Sequence, residues 1–174
     1  MSYLINATQL MNIKKIKPKP GQESVWDYPR PPAIEPVTQH LKIIFNGKEI
    51  SNTNQSYRIL ETSHPPTYYL PLQAFKKGTL IRTDRISFCE FKGEAIYYHI
   101  QAGDQTAEFA AWGYPSPNRR FGALKDHVSV YASKMESCFV GEERVQAQEG
   151  DFYGGWITSK IVGPFKGGAG TWGW

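Results

Sequence analysis

Residues that favour extended backbone and residues that break helices are interleaved along the whole of this chain. Its 174 residues include 5 Trp, 10 Tyr and 9 Phe, cut up by 16 Gly and 12 Pro. Aromatic rings sit well on a pleated, half-buried surface. Frequent Gly and Pro limit how far any helix can run. The pattern calls for short strands joined by tight turns. Hydrophobic residues at 40% and charged residues at 21% give the balance of a globular chain rather than a disordered one. The length suits one domain with a core of its own.

Local turn chemistry places the strands. Residues 41–45 read as a strand and run into Asn46-Gly47, a pair that accepts the positive φ angles of a tight hairpin turn. A partner strand is expected from Glu49. Residues 57–61 alternate, with Tyr57, Ile59 and Glu61 on one face and Arg58 and Leu60 on the other. Residues 67–70 form a further strand boxed by prolines. Residues 86–91 and 95–101 flank Lys92-Gly93 as a hairpin, and residues 106–112 extend it into a meander. The period then changes. Phe121, Leu124, Val128, Tyr131 and Met135 lie three and four apart, behind Ser116 as a cap and Pro117 in a first turn. A small hairpin over 139–145, a last strand within 152–158 and a short helical turn over 1–11 complete the reading. The expected fold class is mainly β: compact antiparallel sheets, tent-like or barrel-like, with one amphipathic helix near 117–135.

The formal net charge is +4, but Lys14, Lys15, Lys17 and Lys19 carry that excess. Without them basic and acidic side chains balance, so nucleic acid is not an expected partner. This divides the chain into a basic arm (1–24), a β domain (25–150) and a Gly- and Trp-rich extension (151–174). Cys89 and Cys138 form no CxxC pair, which excludes a zinc ribbon. Metal and cofactor are not expected. The N-terminal residues lack a signal-peptide pattern, and no apolar run nears the ~20 residues of a membrane helix. A cytoplasmic protein with reduced thiols and no membrane partner is the expectation. Residues 168–173 carry the letters G-x-G-x-x-G, but no strand–turn–helix unit surrounds them, so they are not read as a dinucleotide site.

Chemistry-bearing residues concentrate in few places. Residues 61–69, Glu-Thr-Ser-His-Pro-Pro-Thr-Tyr-Tyr, set a carboxylate, hydroxyls, an imidazole and phenols on a proline-stiffened turn. Glu61 and His64 are candidate acid–base groups, with a turn cap the stronger reading of His64 and a partner of Arg30 or Arg58 the weaker reading of Glu61. Cys89 is a candidate nucleophile near a hairpin tip, with an inert buried thiol as the stronger reading. Lys92 is placed to meet a ligand carboxylate or phosphate, or simply water. Trp26, Tyr28, Tyr69, Tyr97 and Trp112 are candidate pocket walls, though aromatics chiefly fill small β cores.

Several of these runs occur together in a known family. Residues 25–32 (Val-Trp-Asp-Tyr-Pro-Arg-Pro-Pro), 58–71, 88–93 with Tyr97-Tyr98, and 111–117 resemble the bacterial family called domain of unknown function 427, over roughly residues 25 to 145. Asp151 to Trp174 looks like an extension found in only some members. The family is sometimes labelled nucleotidyltransferase-like. The resemblance implies a compact, mainly antiparallel β domain of the β-tent kind. The chain departs from two related patterns: it has no paired CxxC knuckles and no Asp-x-Asp for two Mg²⁺ ions.

The residues support three functional readings. The first is a small-molecule-binding β domain, with Trp26, Tyr28, Tyr69, Tyr97 and Trp112 as walls and Arg30, Arg58, Glu61 and Lys92 as polar contacts. Such mixed charge suits a zwitterionic or phosphorylated metabolite. The second is an enzyme, a hydrolase or transferase, on the same pocket with Glu61, His64 or Cys89 reacting. The third is an interaction module whose Trp-containing tail and basic arm dock another chain, with a homo-oligomer as one form of it.

Overall fold

The computed structural model describes residues 12–150 and 152–174. The expected helical turn over 1–11 lies outside the described residues. The strands are β1 (Glu23–Ser24), β2 (Ala33–Val37), β3 (Leu41–Phe45), β4 (Lys48–Thr53), β5 (Ser56–Leu60), β6 (Thr67–Pro71), β7 (Leu80–Cys89), β8 (Gly93–Ala102), β9 (Gln105–Gly113), β10 (His127–Val130), β11 (Ser137–Val140), β12 (Glu143–Arg144), β13 (Gln146–Ala147), β14 (Trp156–Ile157) and β15 (Ile161–Val162). Seven build the larger sheet in the order β2-β5-β6-β10-β9-β8-β7, and four build the smaller in the order β12-β11-β3-β4. Neighbours within both sheets run antiparallel. The larger sheet stays open, with β2 and β7 at its edges. The antiparallel β class therefore holds, and no closed barrel forms among the described residues.

The turns follow their residues. Asn46 and Gly47 adopt φ of 49° and 67° and join β3 to β4. β7 pairs with β8 down to Cys89 against Gly93, so Glu90 to Lys92 form the tip. β7 also starts earlier than expected, at Leu80 rather than Ile86, across a bulge between Arg82 and Ile86.

The helix expected over 117–135 is not there. Its span holds a 3-10 turn at Arg119–Leu124, strand β10, and a second 3-10 turn at Ala132–Lys134. Gly122 and the positive φ of Asp126 (60°) interrupt the helical path. Val128, Ser129 and Val130 then fill the slot between β6 and β9, where all three are buried. The ladder on both sides outweighs a local spacing of three and four, because β-branched residues suit that position. Phe121 and Leu124 keep their inward direction from the short turn instead.

Alternation gives the larger sheet two working faces. Tyr68 and Leu70 on β6, Ile100 on β8 and Val130 on β10 join Leu41, Ile43 and Ile50 of the smaller sheet in an aliphatic core. Tyr69, Tyr97, Trp112 and Tyr114 point the other way, with Phe121 and Leu124. The C-terminal segment is built into both. Trp156 is fully buried in the main core and donates its indole N–H to the Val130 carbonyl at 3.0 Å. β15 pairs with β1, and the Ile16 N–H reaches the Gly163 carbonyl at 3.0 Å. No helix among the described residues is long and apolar enough to cross a membrane.

Candidate functional site

The aromatic face of the larger sheet is the floor of a cavity of about 430 Å³. Trp112 stacks at 4.4 Å from Tyr131 and meets Tyr69 edge-on at 6.4 Å, and Tyr69 lies 6.3 Å from Tyr114. Burial raises the phenols of Tyr69, Tyr114 and Tyr131 well above their ordinary value, so all are neutral hydrogen-bonding groups. Ser87 Oγ and Tyr97 Oη share a hydrogen bond of 2.9 Å on the same wall.

A tight turn between β5 and β6 supplies the polar rim. The His64 N–H closes it onto the Glu61 carbonyl at 3.0 Å, and Ser63 takes φ of 71°. Glu61 leaves β5 on the same side as Ile59 and pairs with Arg30 at 3.2 Å. Arg30 also donates to the Thr62 carbonyl at 2.9 Å. His64 is drawn further inward and packs against Tyr153 at 4.6 Å.

Gln148 settles the state of that imidazole. The Gly155 N–H donates to Gln148 Oε1 at 3.0 Å, which fixes the orientation of the amide. Gln148 Nε2 then donates to the Lys166 carbonyl at 2.7 Å and faces His64 Nδ1 at 3.1 Å. Nδ1 must accept, so the proton of neutral His64 sits on Nε2. Burial, and then the charges of Lys166, Arg30 and Lys92, lower the His64 pKa to about 3. His64 is thus a hydrogen-bond donor and a poor base.

Lys92 lies at the tip between β7 and β8. Its carbonyl accepts the Asn118 N–H at 2.9 Å, and Asn118 Nδ2 donates to the Phe91 carbonyl at 2.7 Å, so the tip is held in place. Cys89 is half-buried on the same wall. Cys138, by contrast, lies in the aliphatic core, where burial pushes its thiol up to about 12.

Eight residues singled out from the sequence therefore line one cavity: Arg30, Glu61, His64, Tyr69, Cys89, Lys92, Tyr97 and Trp112. Trp26, Tyr28 and Arg58 do not. Trp26 meets Trp174 at a tilt, 5.5 Å between ring centroids, and its indole N–H reaches the Pro164 carbonyl at 2.9 Å. Tyr28 donates to Glu23 at 2.6 Å. Arg58 points to the opposite face, as the alternation of β5 requires, and holds Glu23 at 3.0 Å and Glu35 at 2.9 Å. Sequence reasoning missed Gln148 and Lys166, which arrive from a returning segment. The one signal for that segment was Gly154-Gly155. A Cβ on Gly154 would run into the Trp112 indole, so glycine permits the close approach.

Among the described residues, no three His, Cys, Asp or Glu side chains are grouped to hold a metal ion. Compared with known proteins, residues 33–141 match the family model described as Domain of unknown function (DUF427). No curated protein matches the chain. Arg30, Gln148, Tyr153, Gly154 and Lys166 lie outside the matched span, so part of the cavity wall is built from residues beyond it.

Proposed function

The chain belongs to the family of domain of unknown function DUF427, and from that premise we propose that it is a small-molecule-binding β domain. The ligand occupies the 430 Å³ cavity. Tyr69, Tyr97, Trp112 and Tyr114 give it an aromatic wall, and Arg30, Glu61 and Lys92 give it directional polar contacts. The observation that carries this reading is the convergence of residues from five strands, a rigid turn and the returning segment on one space. A cavity of this size, apolar on one side with few polar groups on the other, has the anatomy of a small-ligand site. The same residues offer less to catalysis, because His64 is held as a donor rather than a base.

Native mass spectrometry of freshly purified chain, set beside its denatured mass, tests the proposal. The expected result is a stoichiometric excess mass that disappears on denaturation and is lost in Trp112→Ala. A bare native mass, together with no change in tryptophan emission across a metabolite panel, would overturn it.

A further inference from the structure

Lys92 leaves the cavity with one charge unanswered. The residue is 8% exposed and lines the cavity. Among the described residues the ion pairs are Arg30 with Glu61 and Arg58 with Glu23 and Glu35, so none involves Lys92. Its ammonium lies 5.7 Å from the centroid of the Tyr114 ring and has no hydrogen-bond acceptor there. The stem of Lys92 is buried while its ammonium opens onto the cavity, so an anionic group held there would meet a charge that no side chain answers.

The groups around it cannot answer that charge. Glu61 is taken by Arg30 at 3.2 Å, and Glu90 at the mouth is exposed to water. His64 is neutral and turns an N–H, not a lone pair, to its free side. The Lys166 ammonium adds positive charge and is tied to the Trp174 carbonyl at 2.8 Å. His64 is held neutral chiefly by burial, with Lys166, Arg30 and Lys92 adding to the effect.

We propose that Lys92 anchors the anionic group, a carboxylate or phosphate, of an aromatic ligand whose ring lies along Trp112 and Tyr114. His64 Nε2–H is the second donor to that group. The inference rests on the cavity being a ligand site and adds the charge and orientation of what it holds. An ammonium and a neutral N–H together suit an anion and leave a cationic ligand unpaired.

Four probes on one ring separate the claims: benzoate, phenyl phosphate, benzamide and benzylamine. Binding is followed on the full chain by the indole N–H signal of Trp112 in ¹H–¹⁵N spectra, assigned with Trp112→Phe. Benzoate or phenyl phosphate should bind about tenfold or more tighter than benzamide, with benzylamine weakest. Whichever anion is preferred names the group. Lys92→Met should reduce that anion to the affinity of benzamide, while benzamide itself is unchanged and Lys92→Arg keeps the preference. Equal affinity of all four probes for the unaltered chain would overturn the anion anchor and leave the ligand cavity standing. No shift of the Trp112 signal with any probe at millimolar concentration would overturn both.

Discussion

Arg58 and Lys92 are both cations with largely buried side chains, and the larger sheet separates them. Arg58, on the face that carries Tyr68, is held by two carboxylates, and Tyr28 adds a hydrogen bond to one of them. Burial alone would raise the Glu23 carboxyl, but bonds from Arg58 and Tyr28 bring it below its ordinary value. Lys92, on the aromatic side, has neither carboxylate nor acceptor among the described residues. On one face the cation is satisfied from within the chain and serves stability. The other keeps a charge and a donor unspent, which is what recognition of a ligand requires.

The contrast can be broken most forcefully at the two tryptophans. Trp156→Ala removes a fully buried ring from the aliphatic core and should destabilise the chain by about 3–5 kcal/mol in urea unfolding. Trp112→Ala borders a cavity rather than close-packed protein and should lose about 2 kcal/mol, with ligand binding lost as well. Equal losses would mean that the aromatic face is as tightly packed as the core.

Acid separates the faces next. His64 is held neutral down to about pH 3, whereas the unfolded chain takes up that proton near pH 6.5. The unfolded state binds more protons between those values, so stability falls as pH drops through this window. About 2 kcal/mol should be lost between pH 6.5 and 5, and His64→Gln should flatten that part of the curve. Glu23 has a lowered folded pKa, so its contribution is present above the ordinary carboxylate range and fades only below about pH 4.5. Arg58→Met should remove this lower step. It should also lower stability by about 1–2 kcal/mol at neutral pH, a modest figure because both partner carboxylates are half-exposed. The smallest effect is expected at Lys92→Met, which orphans no partner and should leave stability within about 0.5 kcal/mol or raise it. A large loss there would reveal a structural partner and sharpen the comparison against a ligand role.

Much of this was legible along the chain. The Asn46-Gly47 turn, the strand pairs around Lys92 and the alternation of Arg58 against Ile59 are local, and each appears where its residues place it. The alternation also separates Arg58 from Glu61, so the two never belonged in one pocket. Trp26 and Tyr28 share a dense motif with Arg30, yet a short 3-10 turn at Val25–Asp27 sends only Arg30 to the cavity. What stayed hidden is non-local. The stripe from Phe121 to Met135 reads as a helix until β6 and β9 are known to flank Val128. Gln148 and Lys166 carry no local mark of their role, which depends on where the chain returns.

The way Gly154 lies against Trp112 has a consequence for the order in which the molecule comes into being. A ribosome delivers the chain from its N-terminus, and the last strand of the larger sheet is complete at Val130. Gln148, Gly154 and Lys166 emerge afterwards. At ~5–20 residues per second, the rings of Tyr69, Trp112 and Tyr114 face solvent or a chaperone for a few seconds before their cover exists. The cavity is therefore closed only after the sheet that floors it is complete, and any translational pause after Val130 prolongs the interval in which its aromatic surface lies open.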